Sequence, residues 1–74
     1  MNEQDIEDLL FDVLHELMSA GDNEDDPLHD LGERAGEIKR LYTYEETGML
    51  TTDKGLVIQC IDGREFQVTI VQSR

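Results

Sequence analysis

The feature that most constrains the fold is an apolar repeat in the first part of the chain. Apolar residues recur there every three or four positions, which is the spacing of one face of an amphipathic α-helix. Asn2 stands where an N-cap is expected, and Gly21 stands where the helix should stop. We therefore predict a helix over residues 3–20. The apolar repeat consists of Ile6, Leu9, Leu10, Val13, Leu14 and Leu17.

A second apolar repeat, near the C-terminal end, has the two-residue period of a β-strand. It predicts an antiparallel hairpin with strands over residues 56–61 and 64–72. A three-residue loop with a left-handed Gly63 pairs Ile58 with Phe66, whereas a two-residue turn would pair apolar with polar side chains. Because a one-residue slip moves every side chain to the other face, burial favours the three-residue loop. One face then carries Leu56, Ile58, Cys60, Phe66, Val68 and Ile70.

The segment between the two repeats contains turn residues and short elements. Residues 21–26 predict an acidic loop, and residues 27–35 predict a short helix with Pro27 at its first position. Residues 38–43 are compatible with a third strand. The rival interpretation is one helix that continues to Leu41, but the two internal glycines would each cost about 1 kcal/mol.

A capping-box spacing from Thr43 to Glu46 predicts one helical turn that ends near Gly48.

These elements predict one small α+β domain over residues 1–74. An isolated two-stranded hairpin is marginal in water, and the N-terminal helix offers the only large apolar face that could cover it. We expect an N-terminal amphipathic helix packed on a C-terminal antiparallel hairpin or three-stranded sheet, with a second short helix. Val57, Ile61 and Val71 suggest that the second face of the hairpin is partly covered too. The predicted core is Leu9, Leu10, Val13, Leu14 and Leu17 against Ile58, Phe66, Val68 and Ile70.

The charge of the chain is large and unevenly distributed. Its 18 acidic and 6 basic residues give a formal net charge of −12. Residues 1–30 hold 11 acids and no lysine or arginine, whereas residues 31–74 hold 7 acids and 6 bases. Because like charges repel and no basic patch exists, direct binding to nucleic acid or to an anionic membrane is not expected. A basic protein surface is the natural partner.

Four acids on the predicted helix, on the face opposite the leucines, form a row that we call the acidic ridge. The row is about 16 Å long at 1.5 Å per residue. Like-charge pairs four residues apart each destabilise a helix by about 0.2–0.5 kcal/mol, and no lysine relieves them. In one interpretation, the only role of these charges is to keep the protein soluble. The members of the ridge are Asp5, Asp8, Asp12 and Glu16.

In the other interpretation, the acidic ridge docks on a basic partner and imitates the phosphates that a nucleic-acid-binding protein recognises. Duplex DNA carries about one charge per 1.7 Å of axis, so the imitation would be partial. Phe11 and Met18 lie on one flank of the helix and would add an apolar anchor if exposed. The predicted partner-binding residues are Asp5, Asp8, Asp12, Glu16, Asp22, Glu24, Asp25, Asp26, Phe11 and Met18.

No catalytic residue, metal ligand or cofactor is predicted. Cys60 lies in the middle of a strand on the apolar face, where it is interpreted as a small buried hydrophobe. His15 is interpreted as a surface residue in the last turns of the helix, and the acids beside His29 are expected by chance. No phosphate-binding or metal motif occurs. A calcium-binding loop is a minor alternative. Pro27 occupies its sixth position, where a sharply turning glycine is needed. The acids at positions 1, 3, 5, 9 and 12 of that loop would be Asp22, Glu24, Asp26, Asp30 and Glu33.

The first functional hypothesis is a non-enzymatic binding protein that docks on a basic partner, for example as an inhibitor. A structural module that homodimerises through the hairpin edge or the Leu28–Tyr42 face is the alternative. In size and charge the chain resembles the small acidic accessory proteins of phages and mobile elements, without a shared motif. The lone Cys60, the acidic N-terminal segment and the absence of a long apolar stretch predict a cytoplasmic location.

Overall fold

The computed structural model describes residues 1–74 and confirms the α+β architecture. The three strands form one antiparallel sheet in the order β1-β2-β3, and the first helix packs on it. Residues 38–43 are a strand, so the rival helix to Leu41 is excluded. The elements in chain order are α1 (Glu3–Ala20), α2 (His29–Ala35), β1 (Ile38–Thr43), α3 (Tyr44–Thr47), β2 (Lys54–Cys60) and β3 (Glu65–Ile70).

Helix α1 has the predicted limits, and both of its ends have a clear cause. At its start, the Asn2 side chain accepts the Asp5 N–H and the Asp5 carboxylate accepts the Asn2 N–H, each at 2.9 Å. At its end, Gly21 lies against Gly32 of α2, where a Cβ on Gly32 would lie 2.9 Å from the Gly21 Cα. Gly21 has a right-handed backbone with φ −65°. A glycine is therefore needed here for the close packing of the two helices, and not for a left-handed conformation that would end the helix.

Helix α2 begins at His29, two residues later than predicted. The Asp26 side chain accepts the N–H of Leu28 at 2.8 Å, and the Asp26 carbonyl accepts the N–H of His29 at 3.0 Å. Residues 26–28 therefore form a turn closed by the aspartate side chain. Pro27 lies inside this turn and does not open the helix.

The two short-range predictions in the second half are confirmed. Thr43 and Glu46 exchange capping-box hydrogen bonds, and the turn ends at Gly48 with φ +72°. The hairpin has the three-residue loop, with φ +91° at Gly63. Its register pairs Ile58 with Phe66, as predicted. The strand limits differ slightly: the strands cover Lys54–Cys60 and Glu65–Ile70, whereas 56–61 and 64–72 were predicted.

The core differs from the predicted one. Helix α1 is turned about its own axis relative to the predicted orientation, and it covers mainly β1 and β2. Leu9 and Val13 are 51% and 46% exposed, and on β3 Phe66 and Val68 are 52% and 39% exposed. Leu10, Leu14, Leu17, Ile58 and Ile70 are half-buried. On the second sheet face Val57 is buried, but Ile61 and Val71 are exposed. The buried side chains are Glu7, Ala20, Ala35, Leu41, Tyr44, Leu56 and Val57.

No helix combines the length and the apolar character that a membrane span requires.

Candidate functional site

The acidic ridge is exposed along its whole length, and nothing in the chain neutralises it. The contacts of carboxylates with basic side chains lie elsewhere: the His29 imidazole with Glu33 at 3.0 Å, and Arg64 with Asp62 at 3.5 Å. Two ridge carboxylates also accept neutral hydrogen bonds. Asp5 accepts the Asn2 N–H at 2.9 Å, and Asp8 accepts from the Gln4 side chain at 2.8 Å. The ridge therefore presents uncompensated negative charge to solvent.

The acidic loop follows α1 directly and extends the negative surface beyond its C-terminal end. Asp22, Glu24 and Asp25 are exposed. Asp26 is half-buried because its side chain is used in the turn before α2. The last turn of α1 contains no basic residue, and a helix C-terminus disfavours negative charge. The position of these acids thus adds to the electrostatic cost of the fold.

Phe11 and Met18 are half-buried. The Phe11 ring stacks on His15, with ring centroids 6.1 Å apart and an interplanar angle of 13°. The more exposed apolar side chains beside the ridge are instead Leu9 and Val13, which were predicted to lie in the core.

An open apolar groove lies between helices α1 and α2, next to the ridge. Val13 and Leu17 of α1 and Leu28 and Leu31 at α2 line a volume of about 350 Å³. The leucines at α2 are 46% and 48% exposed. Asp12 and Glu16 of the ridge complete the lining. We call the surface of these four apolar residues the apolar groove.

Strand β3 is a second exposed surface, and its outer edge has no partner in the chain. The Cys60 N–H donates to the Arg64 carbonyl at 2.8 Å, so Cys60 and Arg64 are a hydrogen-bonded pair of the hairpin. Because hydrogen-bonded pairs alternate along an antiparallel ladder, Phe66 and Val68 bond to β2. The backbone groups that point to the free edge belong to Glu65, Gln67 and Thr69.

The structure brings together no group of three or more His, Cys, Asp or Glu side chains that could hold a metal ion. The carboxylates of the calcium alternative are therefore not gathered into a site. The imidazole of His29 pairs through Nε2 with Glu33, while its buried Nδ1 has no partner. Cys60 is a free, half-buried thiol.

No family model, curated protein or solved structure matches this chain. Functional inference for this molecule therefore starts from its own surfaces and charges.

Proposed function

We propose that the chain is a non-enzymatic binding protein that docks its acidic surface on a basic partner protein. The observation that carries the proposal is the exposed and unpaired acidic ridge, continued by Asp22, Glu24 and Asp25 of the acidic loop. Attraction between opposite charges speeds association and selects the partner, so an extended negative surface is suited to this role.

The energetics of α1 favour a functional role for the ridge over simple solubility. Asp8–Asp12 and Asp12–Glu16 are like-charge pairs, each costing about 0.2–0.5 kcal/mol. These two pairs add nothing to the stability of the helix, whereas a basic partner would relieve their repulsion on binding. A marginally stable domain of this size is sensitive to such a cost.

Nucleic-acid-binding proteins are the class of basic partner that best fits a row of carboxylates on a rigid helix. Their binding surfaces carry lysines and arginines arranged to contact regularly spaced phosphates. The ridge would occupy such a surface and exclude the nucleic acid, which would make the protein an inhibitor by partial mimicry. We propose this as the mode of action.

Affinity capture tests the proposal. The immobilised protein is exposed to nuclease-treated extract from its source cells, and bound proteins are eluted with rising salt. We expect basic, nucleic-acid-binding proteins to bind at low salt and to elute progressively, because salt screens exposed charges. Binding that resists high salt, or a bound set without basic proteins, would contradict electrostatic docking.

A homo-oligomeric assembly module is the second candidate, and the exposed strand β3 is the observation that favours it. Its free edge can pair with β3 of a second copy. Placing Gln67 opposite Gln67 brings Phe66 of each copy opposite Val68 of the other, so that these exposed apolar side chains contact each other across the strands. Residues 54–74 carry nearly balanced charge, so the strands themselves do not oppose this contact.

Light scattering over a concentration series separates the two candidates. A dimer would dissociate on dilution and would strengthen with salt, because screening reduces repulsion between two copies with a net charge of −12. A monomer at every concentration and salt level would exclude the assembly module. Docking on a basic partner has the opposite salt dependence.

We also propose a cytoplasmic location, because the single thiol of Cys60 has no partner for an intrachain disulfide. Fractionation of source cells tests this, and recovery of the protein outside the cytoplasm would contradict it.

A further inference from the structure

Two rows of side chains with different chemistry run side by side along α1. Residues four apart are neighbours on a helix surface, so Leu9, Val13 and Leu17 form one row. The adjacent row, one residue back in sequence, is made of the ridge residues Asp8, Asp12 and Glu16. The apolar row lies between the ridge and α2, and two of its members are about half exposed.

Helix α2 closes the far side of this surface and holds it in a fixed geometry. Gly32 packs directly on the backbone at the end of α1, with its ideal Cβ position 2.7 Å from the Ala20 carbonyl carbon. This backbone contact sets the distance between the helices. Leu28 and Leu31 therefore face Val13 and Leu17 across a preformed groove.

We infer that the apolar groove binds an amphipathic helix of the basic partner, an inference that rests on the proposed function. The seven residues of α2 span about 10 Å. Apolar anchors at positions i, i+3 or i+4, and i+7 of a partner helix span about the same length, which is the usual pattern of helix-in-groove recognition. Lysine or arginine beside these anchors would reach Asp12 and Glu16.

The residues that line the groove argue against three alternative ligands. A second copy would bring its own acidic ridge against Asp12 and Glu16, and the like charges would repel. A small molecule would need polar groups to orient it, whereas the exposed lining away from the two acids is apolar. An anionic lipid surface would be repelled by the same carboxylates. Charge complementarity thus selects a basic, amphipathic helix.

Two synthetic peptides of 18 residues and identical leucine–lysine composition test the inference. One peptide carries its leucines at i, i+3, i+4 and i+7 spacing, and the other distributes them around the helix. We expect the patterned peptide to bind at least about tenfold more tightly in fluorescence anisotropy, because only it presents an apolar stripe. Equal affinity of the two peptides would overturn the inference.

Protein variants locate the contact. We expect the double variant Leu28→Ser/Leu31→Ser to weaken binding of the patterned peptide by about tenfold or more. The matched control is Leu50→Ser/Val71→Ser, which removes exposed apolar side chains elsewhere and should leave affinity unchanged. Circular dichroism verifies that both double variants are folded, as expected for exposed positions. Equal losses in the two variants would overturn the groove assignment.

Charge reversal separates failure of the groove from failure of the proposed function. If Asp12→Lys/Glu16→Lys weakens binding but Leu28→Ser/Leu31→Ser does not, the groove assignment is wrong and electrostatic docking stands. If neither variant weakens binding, both are wrong. Backbone amide NMR shifts provide an independent readout, since the patterned peptide should perturb Val13 and Leu31. Perturbation confined to β3 would place the peptide on the sheet edge and reject the groove.

Discussion

The carboxylate of Glu7 accepts a hydrogen bond from the backbone N–H of Gly55 at 2.9 Å, joining α1 to β2 across 48 residues of sequence. Glu7 is only 3% exposed. The N–H of Gly55 points toward β1, but β1 ends at Thr43, opposite Leu56. Glu7 thus supplies the acceptor that the sheet lacks at this position. This acid is buried and belongs to the fold, whereas among the exposed acids of the ridge only Asp5 has a structural role, in the cap of α1.

Replacing Glu7 by leucine should destabilise the protein by about 1–3 kcal/mol, because a buried N–H would lose its acceptor. Glu7→Gln keeps an acceptor oxygen of similar reach and should lose less. Urea unfolding of both variants measures the difference. Equal stability of Glu7→Leu and the wild type would show that the hydrogen bond to Gly55 contributes nothing.

Replacing Gly55 by alanine should also destabilise the fold, by about 1–3 kcal/mol or more. A Cβ there would clash first with the backbone carbonyl oxygen of Val68. It would also lie 2.5 Å from the ring of Tyr44, which is held by a hydrogen bond of 2.6 Å to Thr69. The control is Gly48→Asn, because Gly48 has open space around it and asparagine tolerates its left-handed backbone. If thermal unfolding shows a larger loss for Gly48→Asn, the close packing of Gly55 against Val68 and Tyr44 is not the constraint.

Replacing Asp12 by alanine should stabilise the isolated protein while weakening partner binding. The change removes both like-charge repulsions, and alanine is the better helix former, which together amount to about 1 kcal/mol. For a domain of this length that corresponds to an increase in Tm of about 4–8 °C. The gain should shrink at high salt, since screening removes the repulsion. A decrease in Tm at low salt would mean that Asp12 is held by a favourable contact.

The dimer candidate makes its own prediction at Gln67, whose N–H points to the free edge of β3. Gln67→Pro removes that donor without removing a β2–β3 ladder bond, so a β3-paired dimer should become a monomer. Phe66→Lys, at a half-exposed position, should have the same effect because an ammonium group would replace the apolar contact with Val68 of the second copy, and it retains the backbone donor. If sedimentation shows dimers in both variants, β3 is not the interface.

Local chemistry made much of this fold predictable from the sequence. The capping boxes at Asn2 and Thr43 involve residues three positions apart, so their spacing alone indicates them. The hairpin register followed from matching apolar side chains around Gly63. These elements depend on neighbours in sequence, and their limits and pairing were correct or nearly so.

The rotation of α1 was not predictable in the same way. Its apolar arc is wider than β1 and β2 can cover, so the repeat alone does not tell which residues face the sheet. The polar Glu7 lies at the contact because a distant strand needs an acceptor there, while Leu9 and Val13 are left outside. In the sequence, only the width of this apolar face indicated that part of it would be left for the apolar groove.

The predicted partner-binding acids are exposed except Asp26, which is half-buried; charged side chains seldom lie in a core. Their partner-binding role stays a prediction. Phe11 and Met18 were placed on a flank of the helix, but the sequence could not show that Leu28 and Leu31 would be exposed instead. The turn closed by the Asp26 side chain, after which α2 begins at His29, was not predicted either.

Electrostatic docking is tested most directly by two triple variants with equal net charge. Asp8→Lys, Asp12→Lys and Glu16→Lys reverse the ridge. Glu37→Lys, Glu45→Lys and Asp53→Lys reverse three exposed acids outside it. The measurement is the affinity of each variant for the captured basic partner at low and at high salt. We expect the ridge variant to lose at least about tenfold in affinity at low salt, and the control to bind like the wild type. Equal affinities of the two variants would contradict docking through the ridge.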